Sequence, residues 1–197
     1  MSQRPRIVVP GHSLHVVNRG NDRRTIFQDH GDYQRFLDLL SEGRQRYPVQ
    51  ITGYCLMPNH FHLVLRPDEA HALSAYMHWV TRGYSCDLRF QTRTRGNGHV
   101  FQRRYWSRVI SGDGHYICVL RYVEANPVRA ALVTRAEAWR WSSLWERESN
   151  GRRLLDTSPV NLPVGWTLIV NTTQQEEDVA VARGRIARGR PRRLREP

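Results

Sequence analysis

Two histidines lie two residues apart, His60 and His62, inside the stretch CLMPNHFHLVL near the middle of the chain. On a β-strand, residues two apart point to the same face, so these imidazoles are expected side by side. Side-by-side imidazoles can bind one metal ion. The spacing is equally typical of a half-exposed strand with ordinary hydrogen bonds, and by itself it leaves both interpretations open.

The other histidines do not complete a three-histidine zinc site at any recognisable spacing. We interpret each of them as a surface or capping residue: His12, His15, His30, His71, His78, His99 and His115. Two histidines with one oxygen ligand, open to a substrate phosphate, favour Mg²⁺ or Mn²⁺ instead.

A predicted helix further along the chain carries a tyrosine and an amide on one face. Tyr122 and Asn126 are four residues apart, and Pro127 predicts the end of the helix. The Asn126 oxygen could be the third metal ligand, whereas Glu124 points elsewhere on the helix. A tyrosine one turn before a metal ligand can attack a phosphodiester.

The same helix has a second interpretation, in which the tyrosine is an amphipathic core residue and the asparagine only ends the helix. A phenol ionises near pH 10, so a nucleophilic tyrosine also needs activation by a metal, a base or a cation. Tyr105 and Tyr116 are rival tyrosines, but neither has an amide four residues later.

Charge favours a polyanionic partner. The net charge is +12, and all 30 basic residues are arginine, whose planar fork binds phosphate with two hydrogen bonds. Codon usage in a GC-rich genome also explains the choice of arginine over lysine. The missing lysine excludes Schiff-base chemistry and a P-loop.

The cellular compartment follows from what the sequence lacks. It has no apolar run of about 20 residues that could span a bilayer, and its first residues do not read as a signal peptide. Three widely spaced cysteines suggest neither a zinc site nor a disulfide framework. We therefore expect a cytoplasmic, nucleoid-associated protein without a membrane partner.

Hydrophobic periodicity predicts an α+β fold, with a ferredoxin-like antiparallel sheet covered by helices. The predicted elements are a strand (12–18), a helix (30–46), two strands (49–57 and 60–66), a helix (70–90), a strand (100–110) and a helix within 111–130. We predict one domain over residues 1–150. Residues 151–197 contain fewer apolar residues and predict a basic C-terminal extension that is partly flexible.

Four motifs in this order resemble one protein family. They are HVVNRGNDRRTIF, YCLMPNHFHLVL, HVFQRRYWSRVI and YVEANPVRAALV, and they span about residues 6–145. Together they are similar to the single-tyrosine HUH transposases, most of all to the bacterial transposases associated with repetitive extragenic palindromes (REPs). The resemblance implies the HUH nuclease fold.

The resemblance also implies a role for each candidate residue. His60 and His62 match the metal pair, Tyr122 matches the nucleophile, and Asn126 matches a third ligand that is glutamine in many relatives. It implies an enzyme that uses Mg²⁺ or Mn²⁺ to cut single-stranded DNA beside a hairpin. The tyrosine becomes linked to the 5′ phosphate, and a 3′ hydroxyl can reverse the step.

The expected partner is single-stranded or hairpin DNA, bound by a monomer or a homodimer without a small-molecule cofactor. Arginines near the motifs are candidates for binding its phosphates: Arg19, Arg23, Arg24, Arg103, Arg104 and Arg108. Tyr105 and Trp106 could stack on bases. The alternative function is a non-catalytic protein that binds palindromic or hairpin DNA.

Overall fold

A four-stranded antiparallel sheet forms the centre of the computed structural model, which describes residues 8–91, 98–149 and 154–183. Its strands are β1 (Leu14–Arg19), β2 (Val49–Met57), β3 (His60–Pro67) and β4 (Trp106–Val109). In the sheet they lie in the order β2-β3-β1-β4. Every neighbouring pair is antiparallel.

The helices in chain order are α1 (His30–Arg44), α2 (Ala72–Gln91), α3 (Asp113–Glu124), α4 (Asn126–Arg129), α5 (Ser143–Glu148), α6 (Trp166–Asn171) and α7 (Glu176–Ala182). The succession β1-α1-β2-β3-α2-β4 with this strand order is the ferredoxin-like arrangement. The predicted α+β class is therefore confirmed. Within the described ranges, no helix has both the length and the apolar content needed to cross a bilayer.

Alternation along β3 divides its side chains between two apolar clusters. Phe61, Leu63 and Leu65 are fully buried in the cluster that includes the apolar faces of α1 and α2. Val64 points to the opposite face and belongs to the cluster formed with α3. Since residues two apart share a face, His60 and His62 also lie on the α3 side of the sheet.

Gly53 lets α3 approach the sheet closely. The β2–β3 ladder shifts register next to this glycine, and Leu120 of α3 is fully buried over it. A β-carbon at Gly53 would overlap the Leu120 side chain and crowd Val64. Because Leu120 precedes Tyr122 by half a turn, this contact sets how near the tyrosine comes to the sheet.

The described part of the C-terminal region packs on α3. Trp166 and Val170 of α6, and Val181 and Ala182 of α7, are buried in the same cluster as Leu120. Residues 154–183 are therefore packed against the 1–150 body. The basic end of the predicted extension, residues 184–197, lies outside the described residues.

Two predicted element boundaries differ most from the structure. The strand predicted at 100–110 is confined to Trp106–Val109, because the chain before it leaves the ladder after a single bridge between Phe101 and Gly20. The helical path predicted to stop at Pro127 continues to Arg129 as α4. Proline is tolerated in the first turn of a helix, where its missing N–H is not needed.

Replacing Gly53 by alanine should destabilise the protein by about 1–3 kcal/mol, the usual cost of overpacking a tight core. The reason is the overlap of the new β-carbon with the Leu120 side chain. Urea-induced unfolding of the Gly53→Ala variant measures this change in the free energy of unfolding.

Leu120→Ala provides the matched background, since it removes the side chain that the new β-carbon meets. Gly53→Ala should cost clearly less in that background, as a double-mutant cycle would show. An equal cost in both backgrounds would mean that the close approach of α3 is not the source of the strain.

Candidate active site

The two histidines of β3 are neighbours under α3. Their ring centroids are 5.0 Å apart, with the rings close to perpendicular. His60 pairs with Arg19 of β1, and His62 pairs with Val17. The ladder thus holds both imidazoles two residues apart on β3, one of the two central strands.

Tyr122 reaches this pair from α3. Its ring centroid lies 5.5 Å from that of His62, and the residue is only 5% exposed. The phenol oxygen accepts a 3.2 Å hydrogen bond from Arg183 Nε. The guanidinium of Arg129 lies 4.9 Å from the centre of the same ring. Two cations that sequence reasoning did not identify therefore flank the phenol.

Asn126 lies one turn after Tyr122, at the start of α4. Because Pro127 has no N–H, the carbonyl of Val123 lacks its usual helical donor. The Asn126 amide compensates: Nδ2 donates to the carbonyl of Tyr122 at 2.7 Å and to that of Val123 at 3.4 Å. With Nδ2 held by the backbone, Oδ1 is the amide atom left for a ligand.

One cavity of about 580 Å³ joins these side chains. The structure brings together all four residues predicted for metal binding and nucleophilic attack: His60, His62, Tyr122 and Asn126. Arg129 and Arg183 also line the cavity. Sequence reasoning missed this last pair because one lies beyond the predicted helix end and the other lies in the predicted extension.

Both histidines of the pair are neutral near pH 7. Burial, and then the charge of Arg19, lowers the pKa of His60 to about 4. Burial also lowers the pKa of His62 well below its ordinary value, and His15 is the next largest cause. Neutral imidazole is the form that binds metal ions.

The hydrogen bonds of His60 determine which nitrogen carries its proton. Its Nδ1 lies 2.7 Å from Asn59 Oδ1, and Asn59 Nδ2 donates to the carbonyl of Arg23 at 3.1 Å. The second bond fixes the orientation of the Asn59 amide, so its oxygen faces the imidazole. His60 Nδ1 is therefore the donor, and Nε2 keeps a free lone pair.

The prediction that His15 is a surface or capping residue is wrong. His15 is 2% exposed, and its Nε2 lies 2.9 Å from Nδ1 of His62. Its ring centroid is 6.1 Å from that of Tyr122 and 5.7 Å from that of Trp106. The alternation along β1 puts His15 and Arg19 on one face, but only the register with β3 brings His15 to His62, and a single sequence does not reveal that register.

The donor set of the cavity fits a divalent cation with open coordination positions. It consists of two imidazole nitrogens and one amide oxygen, from His60, His62 and Asn126. Among residues 8–91, 98–149 and 154–183, no group of three or more His, Cys, Asp or Glu side chains is arranged to hold a metal ion. A closed zinc site does not fit, whereas Mg²⁺ and Mn²⁺ readily take remaining ligands from water and phosphate.

Glu124 does not line the cavity, as its position on the helix predicted. It is fully buried and accepts hydrogen bonds from Ser143 Oγ at 2.5 Å and Trp166 Nε1 at 2.6 Å. Its carboxylate also pairs with Arg147 Nε at 3.2 Å. These contacts fix α3 to α5 and α6, and so they fix the helix that carries Tyr122.

The rival tyrosines lie elsewhere. The Tyr116 hydroxyl lies 3.4 Å from Ser158 Oγ, and the Tyr105 hydroxyl lies 3.4 Å from Ser74 Oγ. Neither tyrosine lines the cavity that contains His60. Trp106, by contrast, lines that cavity and is 44% exposed, which leaves its ring accessible to a base.

The arginines predicted to bind DNA fall into separate groups. Arg19 lines the cavity, and Arg108 pairs with His15 in the β1–β4 register on the same face of the sheet. Arg23 and Arg24 are exposed in the turn after β1.

Arg103 and Arg104 line a second groove of about 590 Å³ beside α2. Arg82 and Arg89 of that helix also line it, which sequence reasoning did not anticipate. The predicted basic surface thus has two parts, one at the cavity and one at this groove.

Acidification should destabilise the protein because His15 and His60 are held neutral. Burial lowers the pKa of each to about 4, from an ordinary value of 6.5. Between these values the unfolded chain binds more protons, so stability that is complete above about pH 6.5 is lost as the pH falls towards about 4. For His15 alone the loss is roughly 3 kcal/mol. Urea-induced unfolding at stepwise lower pH measures it.

His71 supplies the control, since its side chain is 80% exposed. His71→Gln should leave the pH dependence of stability unchanged. His15→Gln should remove the part of the stability loss on acidification that comes from His15. If His15→Gln and the wild type lose stability equally on acidification, the burial of a neutral His15 is not the cause.

Comparison with known proteins identifies the family to which the chain belongs. The sequence profile described as "Transposase IS200 like" matches residues 8–126. A Haemophilus influenzae protein assigned as a REP-associated tyrosine transposase is 28% identical over 121 residues, and the match covers 57% of this chain and 69% of that protein.

A solved structure has the same fold. A REP-associated tyrosine transposase bound to a REP hairpin superposes with a TM-score of 0.62 at 18% identity, over 83% of this chain and 99% of that one. A Deinococcus radiodurans protein assigned as a transposase gives a TM-score of 0.44 at 14% identity, over 62% of this chain and 96% of that one.

The family profile spans the whole sheet and ends at Asn126, so it includes the histidine pair and Tyr122. The family resemblance of the four sequence motifs is thereby confirmed. This chain belongs to the IS200-like transposases, a family of enzymes.

Proposed function

We propose that the protein is a metal-dependent enzyme that nicks and joins single-stranded DNA beside hairpins such as REP palindromes. The observation that supports this proposal is the contact between the Tyr122 phenol and His62, in a cavity that His60 also lines. The similar structure bound to a REP hairpin supports the choice of substrate.

Tyr122 is the proposed nucleophile. Its phenol oxygen attacks the phosphorus of a DNA phosphodiester; the new O–P bond forms as the bond to the 3′ oxygen breaks. The products are a 5′-phosphotyrosine and a 3′ hydroxyl, which receives the proton that the phenol gave up. Because the phosphotyrosine ester conserves the energy of the broken bond, a 3′ hydroxyl can attack it in turn and join strands.

Arg183 and Arg129 stabilise the charge that develops on the phenol oxygen. Arg183 Nε already donates to this oxygen at 3.2 Å, and Arg129 lies over the ring. A donor in position before the reaction needs no reorganisation when the charge forms. The same guanidinium groups can bind the non-bridging phosphate oxygens of the DNA.

His60, His62 and Asn126 are the proposed ligands of a divalent cation, Mg²⁺ or Mn²⁺. They would bind it through the two Nε2 atoms and the amide oxygen, since the other polar atoms of these side chains are engaged in hydrogen bonds. When bound, such an ion polarises the phosphate and neutralises charge on it.

The second groove is the proposed site for the hairpin. Arg82, Arg89, Arg103 and Arg104 line it, and an arginine-rich groove binds phosphates without reading sequence. The net charge of +12 adds a long-range attraction for DNA that salt screens. DNA bound there and at the cavity would contact the protein on both sides of the scissile phosphate.

Replacement of Tyr122 by phenylalanine should abolish covalent attachment to DNA, because the attacking oxygen is lost. End-labelled single-stranded DNA with a hairpin is incubated with protein and Mn²⁺, and the adduct is resolved on a denaturing gel. We expect an adduct with the wild type and none with Tyr122→Phe.

Tyr116→Phe and Tyr105→Phe are the matched controls and should keep the adduct. An adduct that persists in Tyr122→Phe and disappears in Tyr116→Phe would show that Tyr116, and not Tyr122, is the nucleophile. Hairpin binding by the wild type with no adduct at all would favour the non-catalytic alternative.

Loss of one imidazole should separate cleavage from DNA binding. His60→Ala should lower the rate of adduct formation by more than about 100-fold, since losing an outer-shell partner of a metal already costs about 10- to 100-fold. Chelation by EDTA should have the same effect on the wild type, and added Mg²⁺ or Mn²⁺ should restore only the wild type.

Fluorescence anisotropy with a labelled hairpin supplies the second measurement. Measured without a divalent ion, His60→Ala should bind the hairpin as the wild type does. The exposed His71→Ala should keep both binding and cleavage. Parallel loss of binding and cleavage in His60→Ala would identify His60 as a structural residue and argue against the metal.

A further inference from the structure

His15 is buried directly behind His62 and takes no part in the reaction steps proposed above. We propose that His15 is a positioning residue: it accepts a hydrogen bond from His62 Nδ1–H and so keeps the His62 Nε2 lone pair free for a ligand. This inference rests on the proposed function, because it concerns the same pair of imidazoles.

The contact between the two rings has the geometry of a directed hydrogen bond. Their nitrogens are 2.9 Å apart, their planes differ by 20° and their centroids are 5.2 Å apart. This centroid separation is as long as the hydrogen bond plus the two ring radii. The rings therefore lie edge to edge and nearly in one plane, so the N–H of one points at the lone pair of the other.

One proton is shared between these two nitrogens. A hydrogen bond between two neutral imidazoles needs one donor nitrogen and one acceptor nitrogen. If His62 donates, its Nε2 carries a lone pair; if His15 donates, the proton of His62 is on Nε2 instead. Only the first arrangement leaves His62 able to bind a cation.

The surroundings of His15 favour the first arrangement. The backbone of Ala182, at the end of α7, raises the pKa of His15, as a nearby carbonyl acceptor does. His15 Nδ1 is buried and, among the described residues, has no hydrogen bond of good geometry. An acceptor on this side favours the proton on Nδ1 and leaves Nε2 as the acceptor for His62.

His60 shows the same pattern with a different partner. Its Nδ1 donates to Asn59 Oδ1, whose amide orientation is fixed by the bond from Asn59 Nδ2 to Arg23. In the arrangement proposed here, each imidazole of the pair is held at Nδ1 by a neutral acceptor. Each then presents Nε2 without a proton, and among the described residues neither Nε2 has a hydrogen-bond partner.

Long-range ¹H–¹⁵N spectra of metal-free protein with ¹⁵N-labelled histidine, recorded near neutral pH, test the inference without DNA or activity. In the wild type His62 should show the Nδ1–H tautomer. His15→Leu removes the acceptor and should shift His62 towards the Nε2–H tautomer. His15→Gln has an amide oxygen near the lost nitrogen and should retain Nδ1–H.

Binding of Mn²⁺, followed by electron paramagnetic resonance, gives the second measurement. His15→Leu should weaken it by about 10-fold or more, as loss of an outer-shell partner does, and His15→Gln by much less. His71→Leu is the control for an exposed histidine and should change neither the spectrum of His62 nor the affinity.

The inference would be overturned if His62 of the wild type carried its proton on Nε2. It would also be overturned if His62 had the same tautomer in His15→Leu as in the wild type. The wild-type spectrum decides even if His15→Leu does not fold. If the wild type binds no Mn²⁺, the proposed metal fails, while the tautomer still decides the role of His15.

Discussion

The contact between the Tyr122 phenol of α3 and the His62 imidazole of β3 is the constraint on which the arrangement of the cavity depends. Tyr122 belongs to the apolar cluster formed with α3, and the imidazoles project from the sheet that separates this cluster from the one formed with α1 and α2. Neither element alone holds the proposed nucleophile near the proposed ligands. On the proposed function, the reaction therefore requires α3 to stay docked on the sheet, so that packing and catalysis depend on each other.

Several unusual features of the sequence serve this docking. Gly53 removes the β-carbon that would hold α3 away from the sheet. The buried Glu124 is stabilised by Ser143, Arg147 and the indole of Trp166, which all follow it in the chain. A buried carboxylate costs several kcal/mol unless it is paired and hydrogen-bonded, so these partners are required once Glu124 is present. The region after residue 150 therefore contributes to the orientation of a helix that ends before residue 126.

Local sequence patterns predicted the elements well, because they act over a few residues. The strand predicted over 49–57 has the observed bounds of β2, and helical spacing gave α1 and α2 to within about two residues. The histidine pair and the Tyr122–Asn126 spacing are likewise local, since two-residue and four-residue separations each specify one face. The structure brings these residues into one cavity, as the proposed chemistry requires.

What the sequence did not reveal depends on contacts between distant segments. His15 reaches His62 through strand register across 47 positions, and Arg183 reaches Tyr122 across 61. Arg129 was missed for a different reason. Pro127 was interpreted as a stop, although a proline near the start of a new turn lets the helical path continue. Isolated histidines and arginines carry no periodic signal, so their roles emerge only from tertiary packing.

The charge distribution around the cavity explains how these parts could act together. Its proposed ligands are neutral, while Arg19, Arg129 and Arg183 supply the positive charge at its lining. Neutral donors give a cation no net Coulomb attraction, and the arginines repel it. A DNA phosphate entering between them attracts both the arginines and the cation. On the proposed function, DNA and the divalent ion therefore strengthen each other's binding, and by linkage the coupling has the same magnitude in both directions.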